Sequence, residues 1–221
     1  MIILRYYNNI ERLMKKTIVF LMFASCILSL SGCGDKNRSA DVEITDPVCS
    51  CPPTIVLQPC NNFTEKEARA LLPHIKKLVS ECTTSEYEFD VAPVIKLSDS
   101  LKNDSRSRYR ADKMIRSIPE DSHRAVVLLT HQDISVTYKG RADWGVLGLA
   151  LRPKHVCVAS DFRLKNKKRD LWKVAAHELF HSFFNLPHCP NDDPHCIMKD
   201  AKGHADFGNK EHLCKDCAAK I

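Results

Sequence analysis

A chain of 221 residues that is 44% hydrophobic and 27% charged has the make-up of one ordinary folded domain, and nothing in it recurs at the period of about 20–50 residues that a repeat array requires. The formal charge of +6 includes Arg5, Arg12, Lys15 and Lys16 against Glu11 alone in residues 1 to 32; without that segment the excess is +3. So weak a positive balance, with no basic stripe interleaved with aromatics, gives no ground for expecting a nucleic-acid partner.

Residues 1 to 32 read as a signal peptide. From Met14, the stretch MKKTIVFLMFASCILSLSGC sets Lys15 and Lys16 before an apolar run of about 14 residues, short of the roughly 20 a membrane-spanning helix needs. Nothing before Met14 has a role in such a signal, which points to Met14 as the true start. The closing LSGC, Leu30 to Cys33, resembles the lipobox of bacterial lipoproteins; that resemblance implies an acylated Cys33 and a protein exported to the bacterial cell envelope and tethered to a membrane by lipid. Residues 33–53, polar and punctuated by proline, read as the flexible tether.

The folded domain is expected over residues 54–221. TIVLQP reads as a short buried strand ending at Pro59. A helix should follow, with Thr64 as N-cap, Glu67 at the capping-box spacing and a kink at Pro73. Residues 87 to 97 look extended, and a second helix is expected over residues 105 to 120, where SRSRYR reads as a solvated helix start, with an anion site as the alternative. RAVVLLT, Arg124 to Thr130, is the continuous apolar run of a strand covered on both faces. Residues 143 to 160 should give two more strands broken at Pro153, followed by a strongly apolar helix over residues 167 to 185. Beyond Pro187 the chain is loop-rich, with a short helix expected near residues 204 to 213. Strands alternating with helices predict an α/β domain built on a mixed β-sheet with flanking helices and a cysteine-rich C-terminal segment.

The chemistry concentrates in HELFHSFFNLPHC, residues 177 to 189. On a helix, His177 and His181 share a face one turn apart and can present ring nitrogens to one ion, while Glu178 points to the side, placed to take a proton from water rather than to ligate. A catalytic zinc takes three protein ligands and keeps one position open. His188 is the nearest third donor, but it follows Leu186-Pro187, so the chain must turn sharply after Phe184, and Asn185 is the residue there that most readily adopts positive φ. The bland alternative, histidines in a metal-free core helix, leaves polar groups expensively unpaired in apolar surroundings.

The run HELFHSFFNLPHC, with CIM at residues 196 to 198 and CKDC at 214 to 217, is similar to the archaemetzincin signature H-E-x-x-H-x-x-G-x-x-H-C-x4-C-x-M followed by C-x-x-C. Lesser likenesses, TIVLQP, RYRADKMI, LLTHQDI, GVLGLA and VASDFRL, extend it over residues 54 to 217. The resemblance implies a single compact metzincin-like zinc peptidase domain and two zinc ions. His177, His181 and His188 would hold the catalytic zinc, Glu178 would be the general base, and Met198 the methionine of the turn beneath the metal. Cys189, Cys196, Cys214 and Cys217 would hold a structural zinc; two disulfides are the competing reading in an exported protein. The resemblance also makes Gly145 to Leu151 an edge against which an extended peptide substrate pairs.

The sequence departs from the pattern in three places. Six residues separate His181 from His188 where the family has five, six separate Cys189 from Cys196 where it has four, and the spacer before Cys214 is short. Phe184-Asn185 is read as replacing the family glycine. His195, His204 and His212 are possible substitute ligands, more often solvent-facing loop residues. Cys49, Cys51, Cys60 and Cys82 form an even set from which two disulfides are expected, and Cys157 reads as an inert buried thiol. The function expected is zinc-dependent peptide-bond hydrolysis by a lipid-anchored monomer; the alternative is a catalytically silent, zinc-stapled binding or scaffold lipoprotein.

Overall fold

The computed structural model describes residues 52–103, 106–152, 154–191, 193–201 and 207–221; the expectations for the signal, Cys33, the tether, Cys49, Cys51 and His204 lie outside them. The elements in chain order are β1 (Thr54–Pro59), α1 (Glu65–Cys82), β2 (Glu88–Val91), β3 (Tyr109–Arg110), α2 (Ala111–Arg116), β4 (Arg124–Thr130), β5 (Ile134–Tyr138), β6 (Arg141–Val146), β7 (Gly148–Ala150), β8 (Val156–Ser160), α3 (Leu171–Ser182) and α4 (Lys215–Ala218).

A five-stranded sheet in the order β2-β1-β4-β8-β7 forms the frame. Its first four strands are parallel, and β7 joins the edge antiparallel to β8, with Leu149 opposite Val158. Strand alternation sends Ile55, Leu57, Val127, Leu129, Cys157 and Ala159 into one core beneath α1 and α3, while Val126, Leu128, Val156 and Val158 enter a second core with Met114 and Ile115 of α2. Apolar residues on both faces are why Arg124 to Thr130 shows no polar alternation.

Helix α1 starts as its sequence dictates: Thr64 Oγ1 accepts from the Glu67 amide at 3.2 Å, and Glu67 Oε2 accepts from the Thr64 amide at 2.8 Å. It buries Ala68, Ile75, Leu78 and Val79 at helical spacing. The helix runs through Pro73 to Cys82 as one element, with Pro73 on the exposed side, where the carbonyl left without its amide partner can meet water.

Several expectations need correction. The span 105 to 120 is helical only over Ala111–Arg116; Ser107 takes φ 54°, and Tyr109–Arg110 instead pairs parallel with Ile134–Ser135. Residues 134 to 146 form a hairpin that the sequence reading passed over, turning at Lys139 (φ 47°) and Gly140 (φ 77°), the paired positive-φ geometry of a two-residue loop. With β3 it makes a three-stranded sheet in the order β3-β5-β6. The region from Arg141 to Ser160 thus holds three strands, not two. Helix α3 begins at Leu171, after a 3-10 segment Phe162–Asp170 interrupted at Lys165 and Lys167. No helix forms over the described residues 207–213; the last one is Lys215–Ala218. Cys60 and Cys82 carry free thiols instead of disulfides. Cys60 is fully buried at the end of β1, its Sγ directed to the Gln58 carbonyl at 3.5 Å, and burial pushes the thiol up to about 12.

Candidate metal centre

Helix α3 carries the first two histidines because it is apolar on nearly every side: Leu171, Val174, Ala175, Ala176, Leu179 and Phe180 are all buried. His177 Nδ1 lies 2.8 Å from the Ile197 carbonyl, and His181 Nδ1 lies 2.6 Å from the Leu186 carbonyl. A carbonyl only accepts, so each Nδ1 carries the proton and each Nε2 presents a lone pair. Those two Nε2 atoms face each other at 3.1 Å. Two lone pairs at that distance repel unless a cation lies between them, and the edge of a tetrahedral zinc site with bonds of about 2.0 Å is about 3.3 Å.

The third histidine arrives by the turn anticipated from Asn185. That residue takes φ 54°, and the Leu186 amide donates back to the Phe180 carbonyl at 2.9 Å. The span of this bond, six residues, is one longer than the outer bond of a Schellman turn, which absorbs the extra residue. His188 then swings in: its ring centroid lies 5.4 Å from that of His177 and 4.7 Å from that of His181, and one donor nitrogen from each of the three rings falls within 4.8 Å of the others.

Burial lowers His177 to about 3 and His181 to about 4, so both rings are neutral and able to ligate well below neutral pH. Glu178 lies beside the group but outside it. Burial raises its carboxyl to about 8. Strand β7 closes over it so tightly that a Cβ added at Gly148 would fall 2.6 Å from Glu178 Cγ. Gly148→Ala is therefore expected to displace the carboxylate without touching a histidine: whatever metal the histidines hold stays bound, while any reaction that uses Glu178 slows about 100-fold. A reaction rate unchanged in that variant, measured beside its metal content, would show that the position of Glu178 does not matter.

Cys189, Cys196, Cys214 and Cys217 form a second group, their sulfurs all within 4.8 Å of one another and all thiols free. Cys189 Sγ lies 3.6 Å from Cys214 Sγ, near the roughly 3.8 Å edge of a zinc site with sulfur bonds of about 2.3 Å. The Cys214 amide donates to Cys196 Sγ at 3.4 Å. Burial pushes the Cys196 thiol up to about 11 and raises Cys217 too, the cost of a buried thiolate that a bound cation offsets. At Cys189 burial acts in the same sense, but backbone hydrogen bonds from Asp193 and Asn191 outweigh it and hold the thiol below its ordinary value. The segment 196–198, a turn entered from the isolated bridge between Cys196 and His212, joins the two groups. Cys196 belongs to the sulfur cluster, the Ile197 carbonyl orients His177, and the Met198 carbonyl accepts from the Cys189 amide at 2.8 Å. Met198 itself is fully buried in the core.

Neither His195 nor His212 enters either group; His195 Nδ1 sits 3.1 Å from the Asn209 carbonyl, and the His212 carbonyl accepts from the Ile197 amide. Cys157 is buried as expected, its thiol raised by burial.

His177, His188 and Glu178 line a cleft of about 610 Å³ together with Gly148 of β7, Trp144, Phe162 and Arg163. Part of its wall escaped the sequence reading. Asp133 receives Arg163 Nε at 2.9 Å and Arg108 Nε at 2.6 Å, and Arg108 also reaches Asp143 at 3.2 Å. Arg108 is thus a strut of the cleft, not a solvated helix start. Gly145 is where the guanidinium of Arg163 crosses the backbone, leaving no room for a Cβ. The partners lie from 25 (Arg108 to Asp133) to 35 (Arg108 to Asp143) residues apart, so no local pattern announces them. From α3, buried Lys173 donates to the carbonyls of Phe207 and Gly208 at 3.0 and 2.8 Å, fixing Phe207 with its ring 6.2 Å from that of His177.

The chain matches no protein-family model and no curated protein. Among solved structures it is similar to the archaemetzincin of Archaeoglobus fulgidus complexed with malonate, at 25% identity and a TM-score of 0.57 over 76% of this chain and 99% of that one. It is similar to the archaemetzincin of Methanopyrus kandleri at 22% identity and a TM-score of 0.60, over 76% and 92% of the two chains. A zinc-dependent peptidase from Methanocorpusculum labreanum aligns at 22% identity and a TM-score of 0.55 over 75% and 98%. The single mixed α/β domain, with helices flanking its sheet and a cysteine cluster toward its C-terminus, has the fold of these archaemetzincin structures.

Proposed function

We propose that the chain is a zinc-dependent peptidase of the archaemetzincin kind. His177, His181 and His188 hold a catalytic zinc, Cys189, Cys196, Cys214 and Cys217 hold a structural one, and Glu178 is the general base. The observation that carries this reading is the pair of Nε2 lone pairs facing each other at 3.1 Å with both Nδ1 protons committed to carbonyls. Zinc, when bound, supplies a Lewis acid that polarises a peptide carbonyl and acidifies water.

The chain's own residues do the rest. Strand β7, at the edge of the five-stranded sheet, offers main-chain hydrogen bonds to an extended peptide and lays it across the cleft above Glu178. Glu178 takes a proton from the attacking water and returns it to the leaving amine. Its burial-raised carboxyl, near 8 before a neighbouring cation lowers it, lies where a group both accepts and releases a proton close to neutral pH. The carbonyls of Ile197 and Leu186 keep the two helix histidines in the ligating tautomer. Met198 is assigned to the turn under the first metal on the strength of its place between Ile197 and the Cys189 contact.

Metal analysis of the purified domain tests the proposal. Two equivalents of zinc are expected, with peptide cleavage lost to a chelator and restored by zinc; a metal-free folded domain sinks the reading. On LSGC alone, we extend the proposal to a lipid-modified Cys33 and a membrane-tethered, exported protein, which the intact mass of the mature chain decides.

A further inference from the structure

The 3-10 segment after β8 presents Arg163, Lys165, Lys167, Lys168 and Arg169 with no acid between the first and the last, its one acid being the buried Asp170 that follows them. Two of these charges are spent inside the protein: Arg163 on Asp133, and Lys168 on buried Asp161 at 3.3 Å. The nearby arginines are likewise held, Arg108 of the wall by Asp133 and Asp143 and the exposed Arg106 by Asp143. Lys165 differs. It lines the cleft over the histidines, it is exposed, and among the described residues it has no ion pair. Its backbone sits at φ 54°, ψ −115°, a conformation that glycine adopts freely and a lysine only under strain.

The wall that surrounds it has a fixed shape, because Asp133 clamps Arg163 and Arg108 together and Arg163 lies across Gly145. Of the acids that line the cleft, Asp133 is held by Arg163 and Arg108, Glu178 is buried under β7, and Asp200 sits by His188, 4.0 Å from its Nδ1. The cleft therefore carries one uncompensated cation, and the apolar rings of Trp144 and Phe162 line the same cleft.

We propose that Lys165 is a specificity-determining residue of this cleft and binds a carboxylate of the peptide substrate, an acidic side chain or a free C-terminus, while the reactive carbonyl lies over Glu178. This deepens the peptidase reading and rests on it. A carboxylate meeting an unpaired ammonium in a partly enclosed cleft gains a charge-assisted hydrogen bond that a lysine on the open surface, screened by water, does not give.

The test uses the zinc-loaded protein and fluorescein-labelled decapeptides of alanine and leucine in which one glutamate is walked along the chain. Each has a glutamine twin and is made both as free acid and as C-terminal amide. Binding is read by anisotropy in a Glu178→Ala background, and cleavage is read in the wild type. At one register the glutamate peptide is expected to bind about tenfold tighter than its glutamine twin. If the gain comes instead from free acid over amide, the C-terminus is the source. Lys165→Gln should erase the preference without changing the affinity for the glutamine twin, and Lys165→Glu should transfer it to a lysine peptide. Lys165→Gly, which relieves the strained backbone, should melt higher yet lose the preference, separating charge from loop geometry.

A carboxylate preference that persists in Lys165→Gln, or none in the unsubstituted protein, overturns the assignment. Lys165-dependent binding with no cleavage in the wild type overturns only the peptidase reading; cleavage indifferent to Lys165 overturns only this one.

Discussion

Replacing Glu178 by alanine is expected to leave both zinc equivalents in place and to lower peptide turnover about 1,000-fold, within the span by which a positioned general acid or base contributes. The carboxylate lies beside the histidine group and is not part of it, so its loss takes no ligand away. Its removal also relieves a buried acid, and the metal-free variant should be no less stable than the metal-free wild type. A silent scaffold predicts the opposite: no turnover in the wild type and none to lose. Cleavage that survives intact in the variant, with zinc still bound, would dismiss Glu178 as the base.

The second large effect is expected at Cys196. Cys196→Ser should leave the protein with one zinc equivalent or fewer and a melting temperature at least ~10 °C lower, because a structural zinc in a small site contributes apparent binding energy of ~10 kcal/mol or more to folding. Cys196 is fully buried, and the next residue holds His177 through its carbonyl. Damage at the sulfur cluster therefore reaches the histidines, and turnover should fall with the lost metal. Cys157→Ser provides the contrast, since that thiol is equally buried but belongs to no cluster and should cost no metal. Two full equivalents of zinc in Cys196→Ser would remove the cluster from the metal inventory.

What the sequence made legible was local. The capping box at Thr64 and Glu67 formed as spaced, because both hydrogen bonds close within one turn. The convergence of three histidines could be argued from a helical repeat and one residue tolerant of positive φ, and Asn185 has that φ. What stayed hidden depends on partners distant in sequence. Arg108 looked like a solvated helix start because its carboxylates, Asp133 and Asp143, come from the hairpin that packs beside it. Cys60 looked like half a disulfide, since composition counts thiols but does not tell which of them the end of a strand buries. The 134 to 146 hairpin went unread although Lys139-Gly140 marks its turn, because attention to apolar runs passes over a strand such as Ile134 to Tyr138, which is polar and exposed at its far end.

The left-handed residue at position 185 bears on how such sites are recognised at all. A pocket assembled from a helix and the loop after it is set by the direction in which the backbone leaves the last turn, and one dihedral angle decides that direction. Counting intervening positions is a surrogate for this angle, and it fails when an insertion is absorbed in a wider reverse turn. Searches that demand glycine and a fixed gap will pass over chains built like this one, whereas a test for any αL-tolerant side chain ahead of the last histidine would retain them.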